Sequence, residues 1–258
     1  MTLTTENFST GYLNKDVIKS INLTLENFEW LGIIGANGSG KSTFLKGISR
    51  ILKPSSGTAF LNGQNIHLSS TQSIAKEISV LPQLQTIDLQ MSVYELVCLG
   101  RSPHKRWWET DLHETDLLKV DQSLALTNMT ALKDKPVRAL SGGQRQRAFL
   151  SLALAQDSKT LLLDEPTTFL DVHYQLQFLD LLKGLNKDQR LGIITVIHDV
   201  NLAARYCDRI AVLKDGSLIS LDSPRKVLTP ELMKEAFQVE TYQIETPIGL
   251  QICTIRPC

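Results

Sequence analysis

Apolar and polar residues alternate at the start of the chain. Ile21, Leu23 and Leu25 are apolar and Asn22 and Thr24 are polar, which is the period of a half-buried strand. Residues 29–34 form a short apolar run closed by Gly35, predicting a buried strand that feeds a loop. Residues 41–50 place Phe44, Leu45 and Ile48 on one helical face. Residues 57–60 followed by Asn62-Gly63 predict a strand and a turn, and residues 78–81 a further strand ended by Pro82. From about residue 92 to 158 the spacing is helical, as in Val93, Leu96 and Val97, in Leu117 and Leu118, and in Phe149, Leu150, Leu152 and Leu154. Strand texture returns at 160–163 and 193–197, separated by the helical pattern Leu176, Leu179, Leu182. Residues 210–219 read as strand, Asp215-Gly216 turn and strand. Strand–helix–strand alternation predicts a parallel sheet. The expected layout is an α/β core interrupted by a mostly helical insertion.

Composition narrows the class. The 258 residues suffice for a sizeable core, and 42% apolar with 21% charged is ordinary for a globular protein. Lys plus Arg equals Asp plus Glu at 27 each, so no basic excess supports a nucleic-acid partner. Cys98, Cys207, Cys253 and Cys258 form no C-x-x-C pair and predict reduced thiols, not a zinc site. The opening MTLTTENFSTGYLNKD has neither the basic start nor the apolar stretch of a signal peptide. No run approaches the roughly 18 apolar residues of a membrane span. The expectation is a cytosolic chain that reaches any membrane through a partner.

The chemistry begins at Gly35-Ala36-Asn37-Gly38-Ser39-Gly40-Lys41-Ser42, a full match to G-x-x-x-x-G-K-[ST] with Thr43 behind it. The glycines let backbone N–H groups curl round phosphate oxygens. Lys41 reaches the β- and γ-phosphates and the Ser42 hydroxyl ligates Mg²⁺. Kinases, GTPases and ATPases share such a loop. Asn186-Lys187-Asp188-Gln189 misses the guanine-reading N-K-x-D pattern at its last position and reads as a solvated helix end.

Two further strands end in chemistry, where ligands of open α/β sheets sit. One ends in Asp164-Glu165-Pro166 and the other in His198-Asp199. Asp164 holds the Walker B position for Mg²⁺, and Glu165 is placed to polarise an attacking water. His198 is either a hydrogen-bonded core histidine or a γ-phosphate contact, and its strand-end position favours the second. Gln83 follows the 78–81 strand and could sense Mg²⁺ and the water. His67, His104, His113 and His173 have no such context.

A second glycine loop lies at 140–144, LSGGQ, opening a helix-like stretch with Arg145 and Arg147. This loop, LLLDEP at 161–166 and His198, behind a P-loop, resemble the ATP-binding subunit of ABC transporters over about residues 3–230. The resemblance implies a P-loop NTPase (RecA-like) core with an antiparallel β subdomain and an inserted helical subdomain. It implies an ATP-binding domain over 1–236 (core about 1–86 and 160–236, helical subdomain about 87–159) and an extension over 237–258. It further implies a head-to-tail homodimer in which each ATP lies between the P-loop of one copy and the signature loop of the other. Ser141, Gly142, Gly143 and Gln144 would then serve the other copy's nucleotide. The family pattern makes Tyr12 the residue that stacks on adenine and Gln83 the link to the membrane subunit. It makes Asp171 the contact to the opposite copy, Glu165 the catalytic base and His198 the switch histidine, with ATP and Mg²⁺ as ligands.

VYELVCLGRSPHKRWW, TTFLDVHYQLQFLDLL and VIHDVNLAARYCDRIAVLKDGSLISLDSPRKVLTPELM resemble ATPases serving iron–siderophore, haem and vitamin B12 importers. The implied partners are transmembrane permease subunits and, indirectly, a substrate-binding protein, at the cytoplasmic face of the inner membrane. Trp107 and Trp108 belong either to the permease-docking surface or to the core. The tail resembles the short C-terminal strand extension of that group. The alternatives are an ABC ATPase of another transporter (zinc or manganese, amino acid, or an exporter), a soluble ABC ATPase and a P-loop kinase. A soluble ABC ATPase usually has two ATPase units or a long coiled-coil insertion, and a kinase has no use for LSGGQ.

Overall fold

The computed structural model describes residues 2–13, 15–81, 90–106, 108–109, 111–168 and 170–258. The chain opens with β1 (Leu3–Tyr12), β2 (Lys15–Leu25), β3 (Trp30–Ile34), α1 (Lys41–Ile48), β4 (Pro54–Leu61) and β5 (Gln64–Asn65). It continues through α2 (Thr71–Ala75), β6 (Ile78–Leu81), α3 (Val93–Cys98), a 3₁₀ stretch (Leu99–His104), α4 (Glu114–Leu126), α5 (Gly142–Ala155), β7 (Thr160–Asp164) and α6 (Val172–Asp188). It closes with β8 (Gly192–Val196), α7 (Val200–Tyr206), β9 (Arg209–Lys214), β10 (Ser217–Asp222), α8 (Pro224–Val227), α9 (Pro230–Phe237), β11 (Val239–Thr246) and β12 (Gly249–Pro257). By contact these fall into two compact units, 1–69 with 190–258, and 70–189.

The first unit holds two sheets and a hairpin. Strands β2-β1-β4-β5 form an antiparallel sheet, with Leu3 opposite both Leu25 and Leu61. The alternation read at 21–25 is this sheet's buried face: Ile21, Leu23 and Leu25 are all nearly inaccessible. β3 lies between β8 and β9 in parallel, with β10 added antiparallel through the Asp215-Gly216 turn. Every residue of β3 and β8 is buried, as a parallel strand covered on both faces requires. Burying an indole leaves an N–H to satisfy. Trp30 Nε1 donates to Thr195 Oγ1 at 3.1 Å, across two neighbouring strands.

The second unit holds the parallel pair β6–β7, register Ile78↔Thr160 to Leu81↔Leu163, and the helices. The 92–158 region is helical as its spacing predicts, although Leu117 and Leu118 face solvent. The face of α4 that is buried carries Asp116, Val120, Ser123 and Leu124 instead. Asp116 enters the interior because Arg101 Nε donates to its Oδ1 at 2.8 Å, while Arg101 Nη1 donates to Ala155 O at 2.7 Å. A buried carboxylate persists only when paired in this way. Gln156, just past α5, donates through its amide to Ala75 O and Ile78 O, tying that helix to the start of β6. Among the described residues no helix is long and apolar enough to cross a membrane.

Candidate active site

In the first unit the phosphate-type loop leaves the C-terminal end of β3. Gly35 has φ 153°, and a Cβ there would lie 2.2 Å from Leu213 O, so no side chain fits where the loop crosses β9. Lys41 is 5% exposed, and its Nζ donates to Gly35 O at 2.9 Å and Ala36 O at 3.0 Å. The ammonium is thereby held over the loop where an anion would enter. Ser42 and Thr43 follow in the first turn of α1, whose leading N–H groups point toward the same space. Gly216 N donates to Ser39 O and Lys19 N to Gly216 O, so the β9–β10 turn ties the loop to β2. Tyr12, paired with Lys15 at the tip of the β1–β2 hairpin, is 43% exposed and presents an open aromatic face. Ile33 is opposite Val196 in the parallel register, so Gly35 and His198 leave adjacent strands at the same sheet edge. His198 is exposed there and is no core histidine.

In the second unit Asp164 ends β7 at 6% exposure. Glu165 follows with φ 51°, left-handed backbone that a residue with a Cβ rarely adopts. Thr168 holds that turn, donating its N–H to Glu165 O and its hydroxyl to Glu165 Oε2, both at 3.2 Å. Such a conformation costs of order 1–3 kcal/mol and concentrates at functional positions. β6 ends at Leu81, opposite Leu163. Gln83 lies outside the described residues, as does Trp107.

Ser141 is the N-cap of α5. Its Oγ accepts from Gln144 N at 3.4 Å, and Gln144 Oε1 accepts from Ser141 N at 3.1 Å. This capping box leaves the N–H groups of Gly142 and Gly143 at the open end of a 14-residue helix. A Cβ on Gly143 would press on the Tyr174 ring at 3.2 Å. The signature turn thus rests on the first turn of α6, whose N-cap is Asp171, accepting from Tyr174 N at 3.1 Å. The S-x-x-Q spacing at 141–144 is itself the sequence signal for this cap.

Of the four unassigned histidines, His67 stacks on Phe8 at 6.0 Å and His104 Nε2 bonds Gln156 O at 2.8 Å. His113 N-caps α4 and His173 bonds Gln177. Trp108 is exposed, with the Arg106 guanidinium 5.5 Å from its ring.

A glycine loop joining a buried parallel strand to a helix, with a lysine folded over it, defines an α/β P-loop nucleotide-binding protein. The profile of the ABC transporter family matches residues 18–168. The iron(3+)-hydroxamate import ATP-binding protein FhuC of Bacillus subtilis (strain 168) is 40% identical over 95% of this chain and 91% of its own length. The achromobactin transport ATP-binding protein CbrD of Dickeya dadantii (strain 3937) is 39% identical over the same shares, 95% and 91%. A solved structure assigned to a metal-chelate type ABC transporter, in an inward-facing conformation, superposes with TM-score 0.85 at 26% identity, covering 100% of this chain and 97% of that one. The chain belongs to the ABC transporter family, as one of its ATP-binding, ATP-hydrolysing subunits.

Proposed function

We propose that this chain powers an importer of an iron chelate (a ferric siderophore), haem or cobalamin through transmembrane permease subunits at the cytoplasmic face of the membrane. The observation that carries the ATP-driven dimer in this reading is the pair of anion-seeking loops in one chain. One is complete at 35–43. The other, at 141–144, is capped and presented separately on α5, which fits a second copy's nucleotide in a head-to-tail dimer. The curated relatives, named for ferric hydroxamate and achromobactin, support the substrate class.

In this reading Gly35, Asn37, Gly38, Ser39, Gly40, Lys41, Ser42 and Thr43 cradle the phosphates and Tyr12 stacks on the adenine. Ser141, Gly142, Gly143 and Gln144 close on the other copy's γ-phosphate, and Asp171 lies at the same contact. Glu165 accepts the proton of the attacking water, and His198 contacts the γ-phosphate. The Ser42 hydroxyl, the Asp164 carboxylate and the Gln83 amide are the hard oxygen donors that suit Mg²⁺, which when bound neutralises phosphate charge. ATP favours the closed dimer because both copies contact it, and loss of the γ-phosphate removes that preference. The helical subdomain over about 87–159 passes this movement to the permease, and 237–258 is an appended extension.

Deletion of the gene, restored by wild type or by Glu165→Gln, tests the reading. Uptake of ferric siderophores, haem and cobalamin is followed side by side. Expected are loss of one uptake, rescue by wild type, and none by Glu165→Gln, which binds ATP and accumulates as closed dimer. Unchanged uptake of all three would sink the substrate class, and full turnover by Glu165→Gln would sink the base assignment.

A further inference from the structure

The stretch 237–258 carries no chemical motif, yet it is fastened to the end of the first unit where the phosphate loop lies. Helix α9 ends at Phe237, and its C-cap Gln238 takes the left-handed conformation (φ 58°) and turns the chain into the β11–β12 hairpin. Residues Glu235 to Gln238 face Asn37, Gly38 and Ser39 across a cleft of about 230 Å³ that Lys214 and Asp215 also line. An isolated two-stranded hairpin is marginal in water. This one is anchored by Gln243 Nε2 donating to Leu228 O at 2.7 Å, by the Arg225–Glu245 pair, and by burial of Leu250 and Ile252.

The anchor with a chemical consequence is on α7. Asn201 Oδ1 accepts from Ile252 N at 2.6 Å, and Asn201 Nδ2 donates to Ile252 O at 3.2 Å. One carboxamide thus pairs with β12 as a neighbouring strand would, a task that needs both its donor and its acceptor. Asn201 sits in the first turn of α7. Its own N–H is held at 2.8 Å by Asp199 Oδ1, the N-cap, which also accepts from Leu202 N at 3.2 Å. The residue before that cap is His198. Helix ends open at low cost, and the Ile252–Asn201–Asp199 series holds this one through four hydrogen bonds.

We propose that the C-terminal hairpin positions His198, and that Asn201 is the positioning residue through which it acts. The proposal rests on the reading of His198 as the γ-phosphate contact. The test is a double-mutant cycle on the purified full chain, measuring ATPase kcat and KM for wild type, His198→Ala, Asn201→Leu and the double variant. Asn201→Leu keeps the shape and loses both bonds. Its kcat should fall about ten-fold, short of the ~10²-fold that follows a full 1 Å misplacement, with KM for ATP within about two-fold. In the His198→Ala background the same substitution should cost nothing further. Amide exchange at 199–203 should quicken in Asn201→Leu while exchange in β3 stays as in wild type. Should Asn201→Leu not fold, Asn201→Asp, which keeps the acceptor for the Ile252 N–H, carries the same cycle. A wild-type kcat for Asn201→Leu, or losses that multiply in the double variant, would overturn the positioning role while leaving His198 at the phosphate. An unchanged kcat for His198→Ala would overturn the premise instead.

Discussion

Arg101 joins two helices with one side chain, and its removal should be costly. Its side chain is 7% exposed and that of Asp116 8%. Arg101→Ala takes away the 2.8 Å bond to the Asp116 carboxylate and the 2.7 Å bond to Ala155 O, the last residue of α5. What stays behind is a buried carboxylate supported by the His113 N–H at 3.3 Å, together with a carbonyl that has lost its charged donor. Breaking a buried pair from one side costs about 3–5 kcal/mol. For a chain of this size each kcal/mol lowers the melting midpoint by about 2–4 °C, so the expected fall is on the order of 6–20 °C. The assay is thermal unfolding by circular dichroism at pH 7, repeated at high salt. The loss should persist there, because buried charges are little screened. Arg101→Met with Asp116→Leu should recover most of it, since a well-packed apolar pair replaces a buried ion pair at little cost. A fall of under about 2 °C for Arg101→Ala, or no recovery in the double variant, would refute the argument that charge burial drives the cost.

Two further outcomes follow from local geometry. Burial alone would raise the pKa of Asp116, but hydrogen bonds from Arg101 and the His113 N–H, with the Arg101 charge, outweigh it and hold the carboxyl below its usual range. Because the folded value lies below the unfolded one of about 3.9, its contribution is present above that pH and is lost as pH falls through the folded value. Denaturant titrations of wild type and Asp116→Asn should therefore differ at pH 7 and converge in acid below about pH 4, and a gap that widens in acid would mean that folding holds this carboxyl above its usual range instead. Gly35→Ala places a methyl 2.2 Å from Leu213 O at φ 153°, so the loop must move. Titration with a fluorescent ATP analogue should show affinity lower by at least about ten-fold, within the 1–3 kcal/mol range of backbone strain, and unchanged affinity would mean the cradle does not depend on this crossing.

Much of the fold and the course of the glycine loop was legible along the chain. The run 29–34, the glycine loop and the helical face of Phe44, Leu45 and Ile48 are contiguous, and they became β3, the loop and α1 with those three residues buried. The strand end at Asp164-Glu165 was legible as well, because a parallel strand's apolar run stops where its ligand edge begins. The left-handed backbone at Glu165 was not, since a residue before proline, here Pro166, is biased toward extended backbone. Leu117 and Leu118 show the limit of periodicity. Spacing predicted their helix, but which face is buried depended on what packs against it, and Arg101 drew Asp116 inward instead.

By itself the sequence determined what local backbone chemistry dictates: strand and helix periods, the phosphate loop, the S-x-x-Q cap and the order of the strand ends. The tertiary structure alone decided the pairings of residues far apart in the chain, Trp30 with Thr195, Arg101 with Ala155 and Asn201 with Ile252. Periodicity reports which way a side chain faces within its own element. A donor finds its acceptor only when folding brings two elements within about 3 Å, and no spacing along the chain encodes that meeting.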